Sequence, residues 1–301
     1  MKIALTGATG FVGRYIALHL AGLGHSCRCW YREGSDRGGF ESAAGKIDWL
    51  VGDLRNRASA QALVKGCDAV VHAALYHPAG GFQGGEGDLL DFVDKNVLGT
   101  LELIEEARTA GVPRFVFIST CAVHDKILDD RPLDETHPTW AMSHYGAHKA
   151  AIEQFVHSYG FGHGYDICAL RPTGVYGLAR PAEESKWFDL VKAVVDGKTV
   201  HCRRGGKEVH AADVAKGAGI LLTAPGIAGE AFNCYDRYVS EYDVAVLAQR
   251  LSGSKSKIEG ERTSPKHQIV TAKLRALGMQ FGGDALLEQT IGQLVEAAQT
   301  R

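Results

Sequence analysis

The feature that most constrains the fold is the glycine-rich junction between an apolar segment and a helical segment at the start of the chain. Residues 2–6 are a short apolar strand candidate, and residues 11–22 have the composition of a helix. Between them, Gly7, Gly10 and Gly13 allow a tight turn and close packing of the helix on the strand. Such a turn also lets a pyrophosphate approach free N–H groups at the positive end of the helix dipole. The sequence therefore predicts a dinucleotide site in a βα unit.

Apolar and helical segments continue to alternate, which predicts an α/β fold with a Rossmann-type doubly wound parallel sheet. The regular alternation of strand-like and helical segments ends after residue 172. We therefore expect a dinucleotide-binding Rossmann domain at 1–172 and a smaller C-terminal α/β substrate lobe at 173–301, of which 211–223 returns to the first domain. The predicted strands are 2–6, 27–31, 47–51, 69–73, 114–120, 165–170 and 231–234. The predicted helices are 11–22, 89–110, 145–159, 187–196, 211–223, 241–251 and 284–298.

Composition excludes several classes of protein. The formal net charge is −2 over 301 residues, which argues against a general binder of nucleic acid or of membrane surfaces. Because no apolar run approaches about 18 residues, we expect no transmembrane helix. A strand starting at Lys2 leaves no room for a signal peptide, so we expect a cytoplasmic protein. Seven cysteines without CxxC spacing indicate neither a disulfide scaffold nor a zinc site.

The residues after the second predicted strand bear on the choice of dinucleotide. Sites specific for NAD place an acidic residue roughly 20 residues beyond the glycine-rich turn, where it contacts the ribose 2′-hydroxyl. Here the strand ends at Tyr31 and Arg32 follows. An arginine suits the 2′-phosphate of NADP through charge-assisted hydrogen bonds, and Arg37 can add to that pocket. Glu33 and Asp36 could instead reach a ribose, so NADP is the expected cofactor and NAD is the alternative.

Tyr145 and Lys149 carry the predicted chemistry. They are four positions apart in a predicted helix, so both side chains lie on one face. A free tyrosine has a pKa of about 10, and a nearby ammonium lowers that pKa by favouring the phenolate. A tyrosine tuned in this way takes a proton from an alcohol, or returns one to a carbonyl, as hydride moves the other way.

Five motifs, in this order, resemble those of the extended short-chain dehydrogenase/reductase family, also called the NAD-dependent epimerase/dehydratase family. The resemblance covers residues 1 to about 215, and a weaker VHAADVA match at 209–215 belongs to it. It implies a small-molecule carbonyl or sugar substrate. The family often pairs through helices placed like 89–110 and 145–159, so a homodimer is one expected assembly. The motifs are TGATGFVG at 6–13, NVLGT at 96–100, ST at 119–120, YGAHK at 145–149 and RPTGVYG at 171–177.

The resemblance assigns a catalytic set of Thr120, Tyr145, Lys149 and Asn96. It implies that Lys149 also holds the nicotinamide ribose and that Thr120 hydrogen-bonds the substrate oxygen. Ser119 and Cys121 are the alternatives to Thr120 if the register slips by one. Asn96 matches the asparagine that supports the lysine through water, and an ordinary helix or turn asparagine is its alternative reading.

The expected cofactor contacts lie mostly at strand ends, where ligands of such sheets bind. Asp53 and Leu54 resemble the pair that contacts adenine, His72 ends the fourth strand over the cofactor, and Pro172 resembles the proline beside the nicotinamide ring. The predicted cofactor-binding residues are Gly7, Thr9, Gly10, Phe11, Val12, Gly13, Arg32, Asp53, Leu54, His72, Ala73, Ala74, Tyr145, Lys149 and Pro172.

Other candidates carry less information. His144 and His148 are four apart but lack the glutamate of an HExxH motif, so we expect no metal site. The glycine-rich run 80–87 reads either as a mobile lid or as a flexible turn. Aromatic residues on expected cleft loops are as often packing residues as substrate contacts. The substrate-contact candidates are Tyr76, Cys121, Trp140 and His144.

Two departures from the family narrow the expected reaction. Nucleotide-sugar 4,6-dehydratases carry an Asp-Glu pair after the catalytic threonine, whereas Cys121 and Ala122 stand here. Many nucleotide-sugar epimerases carry Arg-Asp ahead of the VH-like motif, and here only Arg203 and Arg204 lie nearby. We therefore expect an NADP(H)-preferring reductase or dehydrogenase. The alternatives are a nucleotide-sugar epimerase with tightly held NAD and a non-catalytic, NADP-binding redox sensor.

Overall fold

A computed structural model of the chain describes residues 1–78 and 84–300. Their backbone forms two compact units. The first unit contains Met1–Pro172, Val214–Cys234 and Val270–Met279. The second unit contains Thr173–Asp213, Tyr235–Ile269 and Gln280–Arg301.

The strands and helices are numbered along the chain. The strands are β1 Lys2–Thr6, β2 Ser26–Tyr31, β3 Ile47–Val51, β4 Ala69–His72, β5 Arg114–Ile118, β6 Asp166–Pro172, β7 Gly174–Tyr176, β8 Val200–Cys202, β9 Gly205–His210, β10 Ala231–Cys234, β11 Arg237–Ser240 and β12 Ile258–Gly260. The helices are α1 Phe11–Gly22, α2 Arg57–Val64, α3 Leu89–Val93, α4 Gly99–Thr109, α5 His144–His157, α6 Phe188–Val195, α7 Ala211–Leu221, α8 Glu241–Ser252, α9 Ala272–Ala276 and α10 Gly283–Gln299.

The first unit is built on a seven-stranded sheet with the order β3-β2-β1-β4-β5-β6-β10. Every neighbouring pair in it is parallel. This is the doubly wound order, in which the direction of winding reverses between β1 and β4 and opens a crevice at the carboxyl ends of the strands. The predicted Rossmann-type α/β fold is therefore confirmed.

The centre of this sheet is buried on both faces, which is why its strands are continuous apolar runs rather than alternating ones. All five residues of β5 are buried, and Phe115 and Phe117 are almost completely inaccessible. Burying side chains of this size stabilises the fold by roughly 1.5–3 kcal/mol each. Arg114 is the polar exception in β5. Its guanidinium donates to the carbonyl oxygens of Leu221 and Ala224, each at 2.8 Å.

Several helices differ from their predicted bounds, and the predicted helices 89–110 and 145–159 are two of them. The predicted helix 89–110 contains a π-helical turn at Asp94–Leu98, which separates α3 from α4. Such single turns interrupt helices mainly at functional sites. Helix α5 begins one residue earlier than predicted, because the hydroxyl of Ser143 accepts a hydrogen bond from the N–H of Gly146 at 3.0 Å and caps the helix.

The second unit contains strands that the sequence pattern did not predict. Strands β7, β9 and β11 form a three-stranded sheet, and β8 pairs with β12. Their apolar partners come from α6, α8 and α10, which share a hydrophobic core with this sheet. The strands are short, and β7 and β9 contain glycines, so they lack the alternation by which strands are recognised.

Candidate active site

The glycine-rich turn has the geometry of an anion cradle. Gly7 adopts φ +75°, and a Cβ atom there would lie 2.7 Å from the backbone of Ala73. A Cβ atom at Gly13 would collide with the carbonyl of Gly7, so both positions require glycine. Gly10 is the N-cap residue of α1 and has no side chain with which to cap the first N–H groups of the helix. The turn, which includes Thr9, Phe11 and Val12, therefore fits a pyrophosphate.

A chain of hydrogen bonds ties this turn to the end of β4. The N–H groups of Ala73 and Ala74 donate to Oγ1 of Thr6 at 3.2 and 3.1 Å. Oγ1 of Thr6 lies 2.6 Å from Nδ1 of His72, and Nε2 of His72 lies 2.8 Å from Oγ1 of Thr100. Thr100 already donates to a backbone carbonyl one turn earlier. It must therefore accept the Nε2–H of His72, and Thr6 must donate to Nδ1.

The ring of His72 has partners within the protein, and its predicted contact with the cofactor stays a prediction. Both ring nitrogens of His72 have protein partners, and the residue is buried. Burial, reinforced by the charge of Lys149, lowers the pKa of His72 to about 3, so the ring is neutral. His72 therefore helps to position Thr6, whose hydroxyl accepts from the N–H groups of Ala73 and Ala74.

Asn96 lies in the π-helical turn and clamps the loop after β4. Its Oδ1 accepts from the N–H of Tyr76 at 2.8 Å, and its Nδ2 donates to the carbonyls of Tyr76 at 2.9 Å and Phe92 at 3.0 Å. Both amide hydrogens are thus used on the backbone. The predicted support of Lys149 by Asn96 through water stays a prediction.

The structure brings Tyr145 and Thr120 together. Thr120 caps the 3₁₀ turn that follows β5, with its Oγ1 accepting the N–H of Ala122 at 3.1 Å, and it hydrogen-bonds the phenol of Tyr145. The first turn of α5 reaches this turn because residue 146 is glycine. A Cβ atom at Gly146 would lie 2.6 Å from the carbonyl oxygen of Ala122.

The two alternatives to Thr120 have other partners. The hydroxyl of Ser119 donates to Glu153, and the thiol of Cys121 donates to the carbonyl of Arg171 at 3.0 Å. Burial raises the pKa of Cys121 to about 12, so this thiol is not a nucleophile near neutral pH. Thr120 is the candidate whose hydroxyl hydrogen-bonds the phenol of Tyr145.

Lys149 lies one turn after Tyr145 in α5, and its side chain is buried. Its Nζ donates to the carbonyl of Ile118 at 2.8 Å and lies 4.6 Å from the ring centre of Phe117. Burial lowers the pKa of Lys149 to about 7, and the carboxylate of Glu153 opposes that shift. Charged and neutral forms of Lys149 are therefore both populated near neutral pH.

The expectation that Lys149 lowers the pKa of Tyr145 is wrong for this structure. Burial raises the pKa of Tyr145, and the hydrogen bond with Thr120 only opposes this shift. The ammonium of Lys149 is directed at a backbone carbonyl and is itself only partly charged. Tyr145 therefore keeps its proton near neutral pH, which suits a proton donor better than a base.

A buried ion pair that was not predicted from the sequence lies behind the site. Arg171 at the end of β6 donates to Oε2 of Glu153 at 2.6 Å, and both side chains are at most 1% exposed. The guanidinium of Arg171 also lies 3.1 Å from Nε2 of His124. Glu153 follows Lys149 by one helical turn, so the pair joins α5 to the central sheet. The spacing of Lys149 and Glu153 was the available signal, since residues four apart share a helix face.

A second missed residue lies in the described part of the glycine-rich run. The carboxylate of Glu86 accepts from the backbone N–H of Tyr145, and its hydrogen bonds to backbone N–H groups lower its pKa. Residues 79–83, which include the start of the predicted lid, lie outside the described residues.

Arginines surround the loop after β2. Arg32 is exposed, and the guanidinium of Arg37 lies 4.4 Å from the ring centre of Tyr31. Arg14, which is not among the predicted site residues, reaches from α1 and donates to the backbone carbonyl of Asp36 at 3.2 Å. The carboxylate of Asp36 is held by Arg14 at 3.5 Å and by the N–H of Gly38 at 2.8 Å. Asp36, one of the two acidic residues expected near a ribose, is therefore already bound by Arg14 and Gly38.

The remaining predicted cofactor residues lie at strand ends of the first unit. Asp53 is exposed and its Oδ1 accepts the N–H of Leu54 at 2.9 Å, whereas the side chain of Leu54 packs in the core. Pro172 is buried at the end of β6.

The two aromatic substrate candidates each lie against a lysine side chain. The ring of Tyr76 lies 3.9 Å from Nζ of Lys95, and Trp140, half exposed, lies 5.4 Å from Nζ of Lys126. His144 is exposed at the start of α5.

Two kinds of feature are absent from the described residues. Within 1–78 and 84–300, no group of three or more His, Cys, Asp or Glu side chains is arranged to hold a metal ion. In the same part of the chain, no helix combines the length and the apolar character that crossing a membrane requires.

Comparison with known proteins establishes the family. The family model described as "NAD dependent epimerase/dehydratase family" matches residues 3–234. The chain therefore belongs to this family, and the predicted class, an enzyme of the extended short-chain dehydrogenase/reductase type, is confirmed.

Individual relatives cover different activities. The chain is 30% identical over 246 residues to a 4-hydroxy-2-methyl-3-oxo-4-farnesyl-3,4-dihydroquinoline-1-oxide ketoreductase of Stigmatella aurantiaca, covering 77% of this chain and 67% of the relative. It is 30% identical over 193 residues to a UDP-glucose 4-epimerase of Rhizobium meliloti (strain 1021), covering 62% of this chain but only 56% of the relative.

A solved structure confirms the fold. A UDP-glucose-4-epimerase from Stenotrophomonas maltophila, with bound NAD and formylated UDP-arabinopyranose, superposes with a TM-score of 0.82 at 20% identity. The alignment covers 100% of this chain and 99% of that chain.

Proposed function

We propose that this protein is an NADP(H)-preferring reductase or dehydrogenase that acts on a carbonyl or alcohol carbon of a small molecule. The observation that carries the proposal is the hydrogen bond between Tyr145 and Thr120, with Lys149 buried one turn along the same helix. A non-catalytic redox sensor would need none of these three side chains in this arrangement.

The proposed mechanism follows from the protonation states of the site. A bound nicotinamide supplies the hydride for reduction, or takes it up in oxidation. Tyr145, protonated near neutral pH, donates its phenol proton to the substrate oxygen, while the hydroxyl of Thr120 holds that oxygen in place. A positioned proton donor of this kind contributes typically 10²–10⁴-fold to the rate. In oxidation the same phenolic oxygen must first lose its proton, so the alcohol direction is favoured at higher pH.

Arg32, Arg37 and Arg14 support the preference for NADP. They bring three cationic groups to the loop after β2, where the 2′-phosphate of NADP lies in this fold. Asp36 is engaged by Arg14 and by Gly38 rather than left to accept a ribose hydroxyl. We propose that Asp53 and Leu54 hold the adenine and that Pro172 lies beside the nicotinamide, as the family motifs imply.

The nucleotide-sugar epimerase remains the second candidate, because one close relative is a UDP-glucose 4-epimerase. The two candidates differ in how they treat the cofactor. An epimerase oxidises and re-reduces the same carbon, so it needs no net supply of NADPH and retains its dinucleotide through purification. A reductase consumes one NADPH for each carbonyl reduced.

The test has two parts. First, the purified protein is denatured and its released dinucleotide is identified. Second, NADPH oxidation is followed with a panel of neutral aldehydes, ketones and lactones, and UDP-sugars are examined for epimer formation. Substrate-dependent NADPH oxidation, with little retained cofactor, is the expected result. Retained NAD with epimer formation would replace this proposal by the epimerase, and NADPH binding without any turnover would favour the redox sensor.

A thermal-shift screen then tests whether a diphosphate is accepted. With NADP present, neutral carbonyl compounds should raise the melting temperature and nucleotide sugars should not. A shift produced by a nucleotide sugar, and lost when Arg203 and Arg204 are replaced by alanine, would show that these arginines anchor a diphosphate.

A further inference from the structure

The turn that follows β3 holds an arginine in a backbone conformation that glycine usually adopts. The N–H of Asn56 donates to the carbonyl of Asp53 at 3.3 Å, which closes a four-residue turn. Arg55 occupies the third position of this turn with φ +66°, where glycine is typical. Among the residues that the structure describes, Trp187 is the only other non-glycine residue with a positive φ. A Cβ atom in this left-handed region approaches the following carbonyl too closely, so the arginine makes the turn less favourable.

The side chain of Arg55 ties the turn to two helical segments. Its Nε donates to Oδ2 of Asp94, the first residue of the π-helical turn, at 3.1 Å, and its Nη1 donates to Oε2 of Glu102 in α4 at 2.7 Å. A single exposed ion pair contributes little, but two carboxylates on one guanidinium fix its direction. The same π-helical turn carries Asn96, which clamps the loop after β4, so the loops after β3 and β4 are both fastened to it.

Helix α4 also packs directly on the turn. A Cβ atom at Gly99 would lie 3.2 Å from both the backbone nitrogen of Arg55 and Cβ of Leu54. The side chain of Leu54 is buried in the core of the first unit, whereas Asp53 is exposed. The ion pairs and this packing therefore hold a turn in which the leucine faces the core and the aspartate is open to solvent.

We propose that Arg55 is a positioning residue for the dinucleotide, because its two ion pairs hold the turn in the conformation that presents Asp53 and Leu54 to the adenine. The inference rests on the proposed function, in which these two residues hold the adenine. The amino group of adenine is a hydrogen-bond donor, and the carboxylate of Asp53 is an acceptor for it. Without the ion pairs, a residue with a Cβ atom at position 55 favours other backbone conformations. Only the fraction of molecules that keeps the left-handed turn then binds the adenine fully.

Three variants separate the backbone of the turn from the side chain that holds it. Arg55→Ala removes both ion pairs and keeps the unfavourable Cβ atom. Arg55→Gly also removes both ion pairs, but glycine adopts the left-handed conformation freely. Asp94→Asn combined with Glu102→Gln removes the charged partners and keeps the arginine. The matched control is Arg57→Ala, which breaks an ion pair with Glu106 of α4 from a helical position two residues further along the chain.

Calorimetric titration with NADP and with its hypoxanthine analogue, in which an oxygen replaces the adenine amino group, measures both the affinity and the preference for adenine. The same pair of titrations with NAD makes the test independent of the 2′-phosphate. The unmutated protein should prefer adenine. Arg55→Ala and the double variant should bind NADP about tenfold more weakly and lose much of that preference, because the analogue gains nothing from Asp53. Arg55→Gly should stay within about threefold of the unmutated protein, and Arg57→Ala should match it.

An unchanged NADP affinity in Arg55→Ala, or an equally large loss in Arg55→Gly, would overturn the inference. A loss for the hypoxanthine analogue as large as the loss for NADP would also overturn it, since Arg55 would then have only a general structural role. Equal binding of adenine and hypoxanthine dinucleotides by the unmutated protein would do the same. Binding is read without turnover. If the Arg55 variants behave as expected but the protein oxidises no NADPH with any carbonyl compound, the proposed function fails and this inference stands.

Discussion

Gly146 approaches Ala122 so closely that a Cβ atom on residue 146 would lie 2.6 Å from the Ala122 carbonyl oxygen. This approach brings the first turn of α5 against the turn that carries Thr120, and it allows the phenol of Tyr145 to reach the Thr120 side chain. The second residue of the YGAHK motif is therefore a geometric requirement for the contact between the two proposed catalytic groups.

Gly146→Ala should separate these groups without unfolding the protein. Overpacking of this kind costs typically 1–3 kcal/mol of stability, and a displacement of about 1 Å at a reacting group lowers turnover on the order of 10²-fold. The matched control is Gly292→Ala in α10, where the new Cβ would contact no described atom within 4 Å apart from its chain neighbours and the backbone of its own helix. That control should stabilise the protein by about 0.5–1 kcal/mol. Steady-state kinetics and urea unfolding measure both effects; an unchanged turnover in Gly146→Ala would contradict the geometric account.

The preference for NADP is tested at Arg32. Arg32→Ala should weaken NADP binding by about 1.5–3 kcal/mol, because one charge-assisted hydrogen bond to the 2′-phosphate is lost, and should leave NAD binding nearly unchanged. Arg250→Ala, which removes an arginine from an exposed pair with Glu288 in the second unit, is the control. Calorimetric titration with both dinucleotides measures the difference. Tighter binding of NAD than of NADP by the unmutated protein would remove the argument.

The sequence predicted those parts of the fold whose signal is local. Strands β1, β3 and β10 and helix α1 have the predicted bounds, because each is an apolar or amphipathic segment bounded by glycine or polar residues. The π-helical turn was not predicted, because residues 94–98 do not differ in composition from the helical residues around them. The strands of the second unit were missed because pairing with one another, rather than alternation, makes them strands.

The site was harder to predict than the fold, because its side chains depend on contacts between distant segments. The motif placed Tyr145 and Thr120 correctly as neighbours, but it did not show that burial raises the pKa of Tyr145. His72 was predicted to contact the cofactor from its place at a strand end. The sequence did not show that its ring lies beside Thr6 and Thr100, because these residues come from two other elements.

The buried pair of Arg171 and Glu153 should matter for stability. Arg171→Met leaves the Glu153 carboxylate buried without its partner, and breaking such a pair costs roughly 3–5 kcal/mol. Arg108→Met breaks the exposed pair with Glu105 and should cost at most about 1 kcal/mol. Urea unfolding of the two variants measures the difference. Equal losses in the two variants would show that the buried pair has no special role.

Buried histidines predict a loss of stability in acid. Burial lowers the pKa of His72 to about 3 and those of His124 and His210 to about 4. Their unfolded pKa is about 6.5. Below that pH the histidines become protonated in the unfolded chain but stay neutral in the folded protein. The stabilisation that the neutral buried histidines provide is therefore full above about pH 6.5, and it is lost as the pH falls towards their pKa values in the folded protein.

Between pH 7 and pH 5 each such histidine should lower the free energy of unfolding by about 1–2 kcal/mol. His124→Gln should reduce this pH dependence, while His201→Gln, at an exposed position paired with Glu259, should not. Urea unfolding at the two pH values is the measurement. A free energy of unfolding that is constant or higher at pH 5 would contradict the assignment of neutral buried rings.

The central claim is that Tyr145 gives and takes the substrate proton, and turnover of Tyr145→Phe tests it most directly. With a carbonyl substrate identified from the NADPH screen, the rate of NADPH oxidation is measured for the unmutated protein and for Tyr145→Phe, and NADP binding is titrated in both. The phenyl ring keeps the packing and removes only the phenol oxygen. We predict turnover lower by roughly two to four orders of magnitude, with NADP affinity nearly unchanged. Turnover within a few-fold of the unmutated protein would contradict the account.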